Sequence, residues 1–156
     1  MQATDTNHEL RAVLTAIGAT PATVTGLLAG LDEDALRYAP PGGRSCLDLI
    51  ADLIASSLRL GAVAHDVLGH VPGASDATGA TDLASPTSEM LQTQLRFLRE
   101  HIVSTVEQQG AAVWSHPTPA GRPLFAYAVD LKESDLTMLR ALRRAAVAAR
   151  SAHPDG

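Results

Sequence analysis

Apolar residues with helical spacing between positions 47 and 68 constrain the fold of this chain more than any other feature of its sequence. One set recurs every seven residues, a spacing that keeps its members on one face of a helix. Its members are Leu47, Ile54, Gly61 and Leu68, with Ile50, Ser57 and Ala64 interleaved. Ser45 is followed three residues later by Asp48, which is a capping box and predicts the start of a helix that runs to about Leu68.

A second apolar stripe lies about 120° around the same predicted helix. It consists of Leu49, Leu53, Leu60, Val63 and Val67. One stripe is enough to fill the core of a single chain, so we expect the second to meet a partner. Two-fold packing of identical chains is the commonest solution for such a surface, and a homodimer is therefore predicted.

The remaining segments also have helical spacing, and apolar runs with a period of two are absent, so the predicted fold class is all-α. The first helix is expected to begin near Asn7 and to be interrupted by Gly18 and Pro21, with Thr20 as a new N-cap. The third helix is predicted to begin with Ser85 as N-cap and Pro86 at its first position. The fourth is predicted to open at Pro123.

Residues 70–85 are rich in Gly, Ala, Ser and Thr and are too many for a tight connection between helices. Extended, they could reach roughly 50 Å, which is enough to travel the length of a bundle. The second and third helices are therefore expected to run parallel to each other.

Length and composition narrow the class of protein. The 156 residues suit a single domain, predicted as residues 1–150 with a disordered tail at 151–156. A net charge of −5 and an aromatic content of 3% argue against a nucleic-acid partner. The single cysteine, Cys46, and a polar N-terminus without a signal peptide favour the cytoplasm. Acidic and basic residues interrupt the most apolar stretch, so no membrane partner is expected.

Several short motifs together resemble the DinB/YfiT-like superfamily. They are Thr20-Pro21, Leu27-Leu28-Ala29-Gly30-Leu31-Asp32, Gly42-Gly43-Arg44-Ser45, Asp48-Leu49-Ile50-Ala51-Asp52-Leu53, Trp114-Ser115-His116-Pro117 and Gly121-Arg122-Pro123-Leu124. The resemblance implies an up-down-down-up four-helix bundle. It also implies a relation to metal-dependent thiol transferases, in which nickel or zinc is held by one histidine on helix two and by His-x-x-x-His on helix four.

The positions that match those three metal ligands are Asp52, Ser134 and Met138, so none is a histidine here. A carboxylate, a hydroxyl and a thioether make a poor shared site for nickel or zinc. We therefore predict that the chain has lost the metal site of the family and holds no metal cofactor. Asp48 and Asp52 lie one helical turn apart and repel each other, and an arginine nearby is a simpler remedy than a metal ion.

Other residues could line a cleft in the bundle, and the candidates are Asp48, Arg59, His101 and Trp114. Each also has an ordinary structural interpretation: a solvated stripe for the charged residues, a hydrogen-bonded core histidine for His101, and a lid over one bundle end for Trp114. Cys46, in the first turn of helix two, is interpreted as a small apolar core residue.

Two functions are compatible with these features. The first is a non-catalytic or ligand-binding DinB-like homodimer, whose ligand is a small molecule or a low-molecular-weight thiol. The alternative is a metal-dependent S-transferase or isomerase, of the mycothiol type, with altered ligands. The sequence does not decide whether the protein is an enzyme.

Overall fold

The computed structural model describes residues 2–68, 86–109, 111–115 and 117–154. These residues form helices and connecting turns without a strand, which confirms the predicted all-α class. The helices are α1 (Gln2–Leu28), α2 (Glu33–Arg37), α3 (Cys46–Leu68), α4 (Ser88–Gln109), α5 (Ala111–Trp114) and α6 (Leu124–Ala152). The four long helices α1, α3, α4 and α6 correspond to the four predicted ones.

Helix α1 is continuous through Pro21, so the predicted interruption and the N-cap at Thr20 are wrong. Proline lacks the backbone N–H that would bond to the carbonyl four residues earlier, which here belongs to Ile17. A side chain of α4 replaces this donor, because Nη1 of Arg99 lies 3.0 Å from the Ile17 carbonyl oxygen. The helix can therefore pass through a residue that normally ends one.

Helix α3 begins as predicted. The Asp48 backbone N–H donates to the Ser45 hydroxyl at 3.1 Å, and the Ser45 N–H donates to the Asp48 carboxylate at 3.3 Å. Both apolar stripes of this helix are largely buried within the single chain: Ile50 and Ile54 on the first, and Leu53 and Leu60 on the second. The second stripe therefore does not require a partner. The observation from which we predicted a homodimer no longer supports that prediction.

The start of α4 differs from the prediction. Thr87 caps it, because its hydroxyl accepts the Met90 N–H at 3.2 Å and its carbonyl accepts the Leu91 N–H at 3.1 Å. Pro86 precedes the helix, whereas Ser85 and the predicted 70–85 connection lie outside the described residues.

Helix α6 begins directly after Pro123, as predicted, and it extends through Ser151 and Ala152. The predicted boundary at residue 150 is therefore two residues too early for the helix. The backbone N–H of His153 closes the last turn by donating to the Ala149 carbonyl at 2.9 Å.

The core consists of two apolar clusters stacked along the bundle. Core cluster one includes Val24, Leu28, Leu36, Cys46, Ile50, Leu53, Leu95, Leu98, Leu142 and Ala146. Core cluster two includes Leu10, Leu14, Ile17, Leu60, Ala64, Ile102, Trp114, Leu124 and Leu131. Helices α3 and α1 each pack against both α4 and α6, so the four long helices surround these clusters.

One stretch of α1, His8–Leu28, is long and apolar enough to cross a membrane by length and composition alone. The core helix of a soluble protein passes the same test. In this bundle the stretch buries Leu14, Ile17 and Val24 among the other helices.

Candidate functional site

Asp52 lies half-exposed on α3, and its carboxylate is engaged by Arg44. The Arg44 guanidinium forms an ion pair with the Asp52 carboxylate and also donates to the Asp48 carbonyl at 3.3 Å. The hydrogen bond from Arg44 holds the pKa of Asp52 below its ordinary value, and Arg59 adds a smaller effect in the same direction. The expectation that an arginine relieves the repulsion between Asp48 and Asp52 is confirmed.

The other two positions that match the family's metal ligands have different surroundings. Met138 is partly buried and packs against core cluster one, whereas Ser134 lines a groove on the α6 surface. A carboxylate already held by arginine, a packed thioether and a neutral hydroxyl do not fit nickel or zinc. In the described part of the chain, no group of three His, Cys, Asp or Glu side chains is placed to hold a metal ion.

The four predicted cleft residues have four different environments. Asp48 completes the capping box. His101 stays outside the bundle interior, with its ring 4.0 Å from that of the exposed Phe97 and its Nδ1 2.9 Å from the Phe97 carbonyl oxygen. Trp114 is buried in core cluster two. Arg59 lines a groove between two of the long helices, and Ser134 lines the same groove.

This groove lies between α3 and α6 and has a volume of about 490 Å³. We name it the α3–α6 groove. Its apolar lining comes from Leu60, Val63 and Leu131, and its polar groups come from Ser56, Arg59, Tyr127, Asp130 and Ser134. A mostly apolar lining with a few convergent polar groups is typical of small-molecule sites.

Asp130 and Arg59 are the two charged residues that line the α3–α6 groove, and they differ in whether they form an ion pair. Asp130 is paired, because Nη2 of Arg122 lies 2.9 Å from its Oδ2. Arg122 also lies over the Tyr127 ring, 4.8 Å from the ring centroid. Arg59 donates one hydrogen bond, to the Ser56 hydroxyl at 2.8 Å. No carboxylate among the described residues forms an ion pair with Arg59. Arg59 acts on the Asp52 carboxylate only at longer range, through the effect on the Asp52 pKa described above. The carboxylate of this groove is therefore held in an ion pair, whereas its arginine is not.

A second groove, between α1 and α4, is larger, at about 780 Å³, and more polar. Its lining includes Arg96 but also three carboxylates, those of Glu33, Glu89 and Glu100. A hydrogen bond of 2.8 Å from Thr25 to Gln92 joins its two walls. With mixed charges and a polar bridge between its walls, this groove is the weaker candidate for a small-molecule site.

A buried polar cluster, which we call the polar centre, lies between the two core clusters. It contains Thr20, Ser57, Arg99 and Asp135, one residue from each long helix. The Arg99 guanidinium contacts both Asp135 carboxylate oxygens, at 2.5 and 2.8 Å, and its Nε donates to the Ser57 hydroxyl at 2.7 Å. Thr20 donates to the same carboxylate at 2.7 Å.

Every member of the polar centre has a partner, so its role is to position the helices rather than to bind a ligand. The sequence interpretation identified neither Asp135 nor Arg99 as part of a buried ion pair. The signal was present, because Arg99 follows Leu95 by four residues and precedes Ile102 by three, on the apolar face of its helix.

The side chains of Cys46 and Trp114 are also buried. Cys46 is fully buried, and this burial raises the pKa of its thiol, which confirms its interpretation as a core residue. The indole nitrogen of Trp114 has no hydrogen-bond partner within the described ranges.

No family model matches this chain, and no curated protein matches its sequence.

Proposed function

We propose that this protein is a DinB-like bundle that binds a small molecule in the α3–α6 groove without the family's metal. The observation that carries the proposal is the groove itself: an apolar lining, several hydroxyl groups, and an arginine that forms no ion pair within the described chain. Ser134, which lines this groove, is one of the three positions that match the metal ligands of the resembled family.

The up-down-down-up arrangement is part of the same proposal, and the order of contacts along the helices supports it. Helices α1 and α6 run parallel to each other. Thr20 contacts Asp135, and further along both helices the Leu27 carbonyl contacts Arg150. Helices α1 and α4 run antiparallel. The Ile17 carbonyl contacts Arg99, whereas Thr25, later in α1, contacts Gln92, which lies earlier in α4.

Helices α3 and α4 add a second support for this arrangement. Both contribute their first halves to core cluster one and their second halves to core cluster two. This order is expected for parallel helices, which is the relation predicted from the length of the 70–85 connection.

Chemical-shift mapping of methyl groups with a library of small amphipathic compounds tests ligand binding. Compounds that bind as proposed shift the methyl signals of Leu60, Val63 and Leu131. Ala62→Trp, placed at an exposed residue of this groove, should block binding. Ala22→Trp, at an exposed residue of the α1–α4 groove, is the matched control and should leave binding intact. Shifts that Ala22→Trp abolishes and Ala62→Trp spares would contradict the proposal.

The absence of nickel and zinc is tested by elemental analysis of protein purified without chelators. We expect no stoichiometric metal and no metal-dependent thiol transfer. One metal ion per chain, lost in Asp52→Ala, would instead favour the S-transferase alternative.

The homodimer is tested separately, by light scattering at micromolar concentration. A dimer has twice the 16.3 kDa mass of one chain. Because α3 buries both of its stripes, a dimer would have to use other apolar side chains, such as the exposed Met90 and Phe97 of α4 or Leu136 and Val147 of α6.

A further inference from the structure

We infer that the ligand of the α3–α6 groove is a small organic acid with one carboxylate and an apolar body. This inference rests on the proposed ligand-binding function and adds the chemical class of the ligand. It follows from the charge, the hydrogen-bonding capacity and the apolar lining of the groove.

Arg59 supplies the charge. Of the five N–H donors of its guanidinium, one is used among the residues that the structure describes, by the Ser56 hydroxyl. The others can donate to a ligand, and the planar guanidinium matches the two oxygens of a carboxylate better than it matches a neutral group. A cationic ligand is disfavoured because Asp130, the carboxylate in the lining, is already paired with Arg122.

Asp130 also limits the charge that the ligand can carry. The lining contains one arginine, Arg59, so a second negative group on the ligand would meet no further cation there and would add to the negative charge of Asp130. A single carboxylate satisfies Arg59 without this repulsion.

The rest of the groove suits an apolar body. Leu60 and Val63 of α3 and Leu131 of α6 supply its apolar lining, and a volume of about 490 Å³ lies within the range of small-molecule sites. The half-buried Tyr127 and Ser134 carry hydroxyl groups that can bond to one polar substituent on that body. The alkyl or aryl part of the acid would therefore be covered by the groove while its carboxylate lies at Arg59.

The test compares three probes of equal chain length: hexanoate, hexan-1-ol and hexylamine. Each is titrated into the full chain, and the methyl shifts of the groove are followed. We expect hexanoate to bind about tenfold more tightly than hexan-1-ol, since a hydrogen bond to a charged group is worth about that much. Hexylamine should bind more weakly than either.

Variants separate the arginine from the rest of the groove. Arg59→Gln should reduce hexanoate affinity to that of hexan-1-ol and leave hexan-1-ol unchanged. Arg59→Lys, which keeps the charge but loses the planar fork, should give an intermediate affinity. Arg96→Gln is the matched control, because Arg96 lines the α1–α4 groove, and it should leave hexanoate binding unchanged.

The outcomes distinguish this inference from the proposed function. If hexan-1-ol and hexanoate bind equally and Ala62→Trp blocks both, the groove binds ligands but the carboxylate class is wrong. If hexylamine binds most tightly, the inference is also wrong. If no probe shifts the groove methyls, the inference is wrong. The compound library with Ala62→Trp and Ala22→Trp then tests the proposed function separately.

Discussion

Two arginines on neighbouring helices of this bundle have opposite surroundings. Arg99 on α4 is fully buried and has four hydrogen bonds, two of them to a carboxylate. Arg59 on α3 is exposed, and its one hydrogen bond within the described residues is to a hydroxyl. A buried charge needs complete pairing within the protein, whereas a charge at a groove keeps capacity for a ligand. The difference indicates a structural role for Arg99, and it agrees with the ligand-binding role that we propose for Arg59.

The largest expected effect on stability comes from removing the arginine of the buried ion pair between Arg99 and Asp135. Arg99→Met leaves the Asp135 carboxylate buried without its cation, and we expect the free energy of unfolding to fall by about 3–5 kcal/mol. Urea unfolding followed by circular dichroism measures this loss. Adding Asp135→Leu should recover most of it, since an apolar pair of similar volume replaces an ion pair at little cost.

A control on the same helix makes this result specific. Arg96→Met, at an exposed position one turn earlier, should change the free energy of unfolding by no more than about 0.5 kcal/mol. A loss in Arg99→Met as small as that in Arg96→Met would contradict a structural role for the polar centre.

The second prediction concerns the carbonyl that Pro21 leaves without a helical donor. Pro21→Ala supplies a backbone N–H to the Ile17 carbonyl, which in the native chain is bonded by Arg99. We therefore expect Pro21→Ala to raise stability by about 1 kcal/mol more in the Arg99→Met background than in the native background. A double-mutant cycle measures this difference, and a coupling of zero would show that Arg99 does not replace the missing donor.

The same residues explain how far the sequence could predict this molecule. The helical class and the capping box of α3 depend on local spacing and local hydrogen bonds, and both were predictable. The continuity of α1 through Pro21 depends on Arg99, which lies 78 residues further along the chain. Local rules for proline could not anticipate that contact.

The candidate site was predictable only in part for a similar reason. Arg59 and Ser134 were both singled out in the sequence, but nothing local indicated that they line one groove. Asp52 was expected near an arginine, and Arg44 provides it. The second apolar stripe of α3 was assigned to a partner because sequence spacing cannot show that the chain's own helices bury both stripes.

The third prediction concerns the ion pair of Asp52 with Arg44, in which both side chains are about half exposed. Asp52→Asn should lower the free energy of unfolding at neutral pH by less than about 1 kcal/mol, because solvent screens an exposed pair. The pKa of Asp52 is lowered in the folded chain. Its contribution is therefore complete above the unfolded value of about 3.9 and is lost as the pH falls through the lowered folded pKa.

Urea unfolding of Asp52→Asn and the native chain across this pH range tests that sign. The difference between the two should be constant from neutral pH down to about pH 5 and should shrink in more acidic solution. A difference that grows on acidification would contradict the direction of the shift.

The smallest expected effect on stability belongs to Arg59, and it completes the comparison between the two arginines. Arg59→Gln removes an exposed charge that has no ion-pair partner among the described residues, so the free energy of unfolding should change by no more than about 0.5 kcal/mol. Ser56, which accepts its one hydrogen bond, keeps a hydroxyl that can accept from the new amide instead. The same substitution should lower hexanoate affinity about tenfold. Urea unfolding and methyl shift titration of one protein preparation measure both quantities. A stability loss comparable to that of Arg99→Met would mean that Arg59 belongs to the fold, and the separation of the two arginines would then be wrong.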